Sequence, residues 1–174
     1  MLDVDKCCIT RFPSPLLGQK AKPIEKIDDS IRALAEKMMD IMVQQKGVGL
    51  AGPQVGVALR IFVASPDGTK KNAKVYINPV ITPSGKLEAA EEGCLSLPGI
   101  YGKIRRYSKC SIKAAGFDGN QFCEEAEGLL ARIFQHECDH LDGTLVADKL
   151  STVAKIAARK KLKQLRENYT QQKQ

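Results

Sequence analysis

The chain has 174 residues, 43% of them apolar and 27% charged, with six cysteines and no tryptophan. That composition argues against a disordered chain, and the length suffices for a sizeable, mostly aliphatic core without disulfides. The formal charge is +7, and all of it lies at one end: residues 1–148 hold 19 basic and 19 acidic residues, whereas residues 149–174 hold eight basic ones against Glu167 alone.

Residues 1–26 read as an irregular arm interrupted by Pro13, Pro15 and Pro23. Its start, MLDVDKCC, carries two aspartates and no apolar h-region, so no secretory signal is expected there. The cysteines then read as reduced thiols of a cytoplasmic protein rather than a disulfide frame. Asp28 or Asp29 caps an amphipathic helix in which Ile31, Leu34, Met38, Ile41 and Met42 recur every three or four residues, and Gly47 ends it. The stretch 47–54, GVGLAGPQ, is a loop of small residues, and its Gln54 carries an amide able to donate to an oxyanion. The longest uncharged run, 47–59, is thirteen residues, short of the ~20 that a membrane-spanning helix needs.

Short β-like runs follow at 58–64, 74–81, 103–107 and 111–115, with a weaker one at 122–127, bounded by Gly, Pro or Asn. Residues 129–141 read as a helix. A final helix at 151–168 sets Val153, Ala154, Ala157, Ala158, Leu162 and Leu165 against a face bearing Lys155, Arg159, Lys163 and Arg166. Helix, then strands, then helices, without strict βα alternation, predicts an α+β fold in one domain spanning 1–174. Short, mainly antiparallel β-sheets pack around the 129–141 helix, with an N-terminal amphipathic helix and a C-terminal basic helix.

The strongest chemical signal is His136-Glu137-Cys138-Asp139-His140. On a helix, positions i and i+4 share a face, so both imidazoles can reach one metal ion with the glutamate beside it. These are the only two histidines in the chain. A catalytic site of this kind needs a third protein ligand. The HExxHxxGxxH extension fails at Val146, and the only acidic residue after Asp148 is Glu167, within the basic tail. An upstream thiolate, Cys94 in Glu92-Gly93-Cys94-Leu95-Ser96, is the leading candidate. One and two turns before His136, Ile133 and Leu129 share its face, and with Val48 they are candidates for an apolar substrate pocket.

These three stretches together resemble the peptide deformylases, a family marked by a GΦGΦAAPQ loop, an EGCΦS turn and a QHExDH helix (Φ apolar). Here they read GVGLAGPQ (47–54), EGCLS (92–96) and QHECDH (135–140), in the same order. The departure is Gly52 in place of the second alanine, which loosens the loop and removes no catalytic group. The resemblance implies a hydrolase that removes the N-formyl group from the formyl-methionine of new polypeptides and releases formate. It implies Cys94, His136 and His140 as ligands of one divalent ion, usually Fe2+, with Zn2+, Ni2+ or Co2+ able to replace it. Glu137 is then the general acid/base, Gln54 and the Leu95 N–H the oxyanion donors, and Gly49 a backbone partner of the substrate. The basic C-terminal helix is expected to meet the ribosome near the tunnel exit; neither a membrane nor DNA is an expected partner. Two alternatives stand beside this reading: a small zinc endopeptidase, and a non-catalytic ribosome-binding module with a structural metal.

Overall fold

In the computed structural model, which describes residues 3–171, the first helix, α1, runs Asp29–Gln44. Met1, Leu2 and residues 172–174, parts of the expected domain and basic tail, lie outside the described residues. Asp28 is the N-cap: its carboxylate accepts the N–H groups of Ser30 and Ile31, two of the donors that a helix start leaves unpaired. The stop differs from the expected one. Lys46, not Gly47, takes the left-handed conformation, at φ 56°. The Lys46 N–H donates to Val43 O and the Gly47 N–H to Met42 O, a Schellman closure.

Five strands form one antiparallel sheet in chain order: β1 (Gly49–Ala51), β2 (Ile61–Ala64), β3 (Lys74–Gly93), β4 (Tyr101–Ala115) and β5 (Gln121–Glu127). Three helices follow: α2 (Gly128–Leu141), the single turn α3 (Val146–Lys149) and α4 (Thr152–Gln171). The antiparallel α+β class is the one expected, but two strands are longer than their sequence signals. The run at 74–81 continues to Gly93, crossing Pro83 and Gly85 through a register shift between Ser84 and Leu87. Pro83 is tolerated because β2 pairs with β3 only from Lys74 to Ile77, so beyond it β3 is an edge strand. The runs at 103–107 and 111–115 are one strand, β4. The segment 49–51, expected as loop, pairs with β2 as β1.

Strand alternation sorts the side chains between two cores. Ile61, Val63, Val75 and Ile77 face α1, meeting Leu34, Met38 and Met42. Phe62, Ala64, Tyr76, Cys110, Ile112 and Ala114 face the other way and meet Ala131, Phe134, Cys138 and Leu141 of α2. Burying each such Leu, Ile or Phe contributes about 1.5–3 kcal/mol before conformational entropy is counted. The sheet is thus held between α1 and α2. A third core lies beneath the β3–β4 connection, where Leu97, Ile100 and Ile104 meet Leu17, Val146, Leu150 and Leu165.

The packed stripe of α4 is narrower than expected. Ala154, Ala158, Leu162 and Leu165 pack on the third core, whereas Val153 and Ala157 are exposed. Arg166, assigned to the free basic face, lies 5.3 Å from the centre of the Phe12 ring. The N-terminal arm, expected to be irregular, holds two 3-10 turns, Val4–Lys6 and Pro15–Gly18, and it ties down two neighbouring segments. The Thr10 N–H donates to Gln54 O at 2.7 Å and the Phe12 N–H to Ser96 O at 2.9 Å.

Candidate metal centre and active site

The 3.6-residue period of α2 places His136 and His140 one above the other, with their Nε2 atoms 3.2 Å apart. Where β3 ends, the Glu92–Ser96 turn brings Cys94 over them, its Sγ 3.2 Å from His140 Nε2. The three ligand atoms lie within 4.8 Å of one another, so one divalent ion fits among them. Two imidazoles and a thiolate suit zinc, iron, nickel or cobalt. His140 Nδ1 is buried without a partner. Val146, the residue that breaks the longer histidine motif, is buried in the third core.

His136 is aimed by a carboxylate that sequence reasoning quoted within its motif but gave no role. Glu92 Oε2 lies 3.0 Å from His136 Nδ1, which holds the proton on Nδ1 and leaves Nε2 free for a metal. The same carboxylate accepts a two-point fork from Arg106, at 2.9 Å on each arm, and a third bond from Arg132 Nη1 at 2.7 Å. Burial pushes the Glu92 pKa up, but the hydrogen bonds from Arg106, His136 and Arg132 outweigh it and hold the group well below the usual carboxylate range. Arg106 then reaches Asp139 at 2.5 Å, and Asp139 meets Lys149. Arg106 and Arg132 gave no sequence signal of function. Asp139 did, as the last acid of QHECDH. Gln135 of the same motif pins α2 to β4: its amide donates to Tyr107 O and accepts the Tyr107 N–H.

Glu137 is buried on the metal side of α2, packed against Gly49 of β1. A Cβ at position 49 would overlap the Glu137 carboxylate, so only glycine lets the strand pass this close. Burial is the main cause that raises the Glu137 pKa, to about 7. Its Oε2 has no hydrogen-bond partner among the described residues. A carboxyl poised near neutrality beside a metal site can both take and return a proton. With no cation bound, burial opposes charge on His136, yet hydrogen bonds to Cys94 and Glu92 outweigh it and raise its pKa to about 10, so a metal ion would take Nε2 by displacing its proton. Burial first, then the His136 charge, lowers the His140 pKa, so His140 is neutral.

Gln54 sits in the helical turn Gly52–Val55, nearly fully buried. Its Oε1 accepts the Ala51 N–H at 2.8 Å, which fixes the amide and turns Nε2 toward Cys94 Sγ, 3.5 Å away. Gly52, expected to loosen this loop, instead fits tightly. A Cβ there would lie 2.7 Å from Leu59 O and 2.8 Å from Val57 O.

A cavity of about 500 Å³ opens above the centre, lined by Gln54, Cys94, Leu95, His136 and Glu137. Val48, Gly49, Leu129 and Ile133 line it too. Only Ile133 of the three apolar candidates is buried; Leu129 and Val48 stand exposed at the rim.

Residues 7–155 match the family model for polypeptide deformylase. The chain is 46% identical over 155 residues to the peptide deformylase of Pseudomonas aeruginosa, covering 88% of this chain and 92% of that one. It is 41% identical over 148 residues to that of Desulforudis audaxviator, covering 84% and 95%. The crystal structure of the Plasmodium falciparum peptide deformylase superposes with a TM-score of 0.90 at 38% identity, over 94% of this chain and 97% of that one. A peptide deformylase from Legionella pneumophila gives 0.87 at 41%, over 94% and 97%.

Proposed function

This chain belongs to the peptide deformylase family, metal-dependent hydrolases that remove N-formyl groups from nascent peptides, and we propose how its own residues divide that reaction. Cys94, His136 and His140 hold the ion, and ferrous iron is the native one. A divalent ion bound there supplies a Lewis acid that polarises a carbonyl and acidifies water. Glu137 takes the proton from the water that attacks the formyl carbon. It delivers that proton to the amine nitrogen as the C–N bond breaks, and formate leaves. Gln54 Nε2 and the Leu95 N–H meet the developing oxyanion. The backbone of Gly49, at the cavity wall, pairs with the extended substrate, and Val48, Leu129 and Ile133 receive the methionine side chain. The family match favours this reading over the endopeptidase and the non-catalytic module.

The observation that carries this assignment is the buried Glu137, with its pKa raised to about 7, beside three converging ligand atoms. The test is formate release from formyl-Met-Ala-Ser, with metal content measured on the same anaerobically prepared samples. Native protein is expected to release formate and to carry one iron per chain. Glu137→Ala is expected to keep the metal and lose turnover; an active variant would remove Glu137 from the reaction.

The exposed cations Lys155, Arg159, Lys160 and Lys163 of α4 support docking on ribosomal RNA near the tunnel exit, with the cytoplasm as the working compartment. No helix among the described residues is long and apolar enough to cross a membrane. Reversing those four charges should abolish co-sedimentation with ribosomes; retained, salt-insensitive binding would end this reading.

A further inference from the structure

The mouth of the catalytic cavity carries a cation that the reaction does not use. Lys46 lines the cavity, as do Gln45, Glu91 and Tyr101. Its side chain is exposed and has no ion-pair or hydrogen-bond partner among the described residues. The other cations of the lining, Arg132 and His136, are taken up by Glu92. Glu91 stands opposite Lys103 in the β3–β4 register without an ion pair among the described residues. The cation of the lining left without a partner is therefore the ammonium of Lys46.

Lys46 also occupies a position that favours another residue. At φ 56° it fills the left-handed cap of α1, where glycine carries no Cβ penalty. A cation near a helix C-terminus interacts well with the helix dipole, but lysine at the exposed Gln44 or Gln45 would serve that purpose on an ordinary backbone. Helix capping thus does not account for lysine here. An unfavourable backbone state at the rim of an active site is a reason to ask what the side chain does.

We propose that Lys46 is a specificity-determining residue that selects formylated peptides with an acidic side chain at one of the two positions after the formyl-methionine. The inference rests on the deformylase reading of the cavity. The substrate's formyl end lies at the metal centre, so its following residues pass out through the mouth. In an extended chain successive side chains point to opposite sides, and one of the two turns toward α1 and Lys46. An aspartate there meets an unpaired ammonium. A lysine there meets like charge.

The test compares kcat/KM on formyl-Met-Xaa-Ala and formyl-Met-Ala-Xaa, with Asp, Asn or Lys at Xaa, using the metal-loaded full chain at low salt. Asp and Asn have nearly the same shape, so their ratio isolates charge. Exposed ion pairs set the scale, so native enzyme should favour Asp over Asn by about twofold to fivefold at one position. The ratio should fall toward one in high salt. Lys46→Gly should erase the preference and raise Tm by about 2–4 °C, because the left-handed cap then holds glycine. Lys46→Glu should make Lys the favoured residue. Equal rates for Asp and Asn at both positions, an unchanged ratio in either variant, or a lower Tm for Lys46→Gly would overturn the proposal. Formate release from formyl-Met-Ala-Asn separates the two levels. Release with no charge preference defeats only the role of Lys46, whereas no release from any peptide defeats the deformylase reading and this inference with it.

Discussion

Glu137 is the residue whose stability cost and chemical role can be measured together. Burial raises its pKa from 4.5 to about 7. In the metal-free protein the folded chain therefore keeps a proton that the unfolded chain gives up between these values. Stability falls with rising pH wherever the folded state binds more protons. The loss begins near pH 4.5 and is complete somewhat above pH 7. At ~1.4 kcal/mol per pKa unit it amounts to about 3 kcal/mol. Glu137→Gln keeps the shape and cannot ionise, so it escapes that loss. Urea unfolding of chelator-treated native and Glu137→Gln protein at pH 4.5, 6 and 8 measures the difference. The variant should gain on the native chain as pH rises, by up to about 3 kcal/mol at pH 8, less whatever its unpaired amide costs. A difference that stays constant with pH, or shrinks as pH rises, would refute a carboxyl pushed up by burial.

Further expectations follow from the same geometry. Gln54→Ala should lower turnover by ~10²–10³ with metal content unchanged, which parallel kinetics and metal analysis will check. Glu92→Gln removes the carboxylate that orients His136 and should weaken metal affinity by ~10–100-fold in a chelator competition; undiminished affinity would reduce Glu92 to a structural ion pair. Gly49→Ala places a methyl group where the Glu137 carboxylate sits, and a displacement of about 1 Å should cost on the order of 10²-fold in kcat. Its far-ultraviolet circular dichroism should match that of the native protein.

The parts of the fold that obey simple periodicity were legible in the sequence. The Asp28 cap, the spacing of Leu34, Met38 and Met42, and the helical placement of His136 and His140 each follow from local rules. The long strands were not, because their signals are broken by residues that tertiary context rescues. Pro83 and Gly85 end the 74–81 run in the sequence, yet the strand passes through them as an edge strand with a shifted register. Arg106 and Ser108 hide the alternation of β4, since the two residues on its inner face between Ile104 and Cys110 are a charged one and a polar one. That same arginine explains what was missed at the site. A lone Arg or Glu reads as solvated surface, and only the fold reveals that Glu92, Arg106, Arg132 and Asp139 converge behind His136. Gly52 carries a similar lesson. Its place in the motif is visible in the sequence, but the close approach of the Val57 and Leu59 carbonyls that requires glycine there is not.

The central claim is that Cys94 closes a metal site opened by His136 and His140, rather than Cys138, the cysteine inside the histidine motif. Cys138 is on the opposite side of α2, packed with Phe134 and Leu141. The direct measurement is the absorption spectrum of the cobalt-substituted protein, compared with those of Cys94→Ser and Cys138→Ser. The sulfur-to-cobalt charge-transfer band should persist in Cys138→Ser and vanish in Cys94→Ser, with metal-dependent formate release following the band. A band that survives in Cys94→Ser would contradict the account.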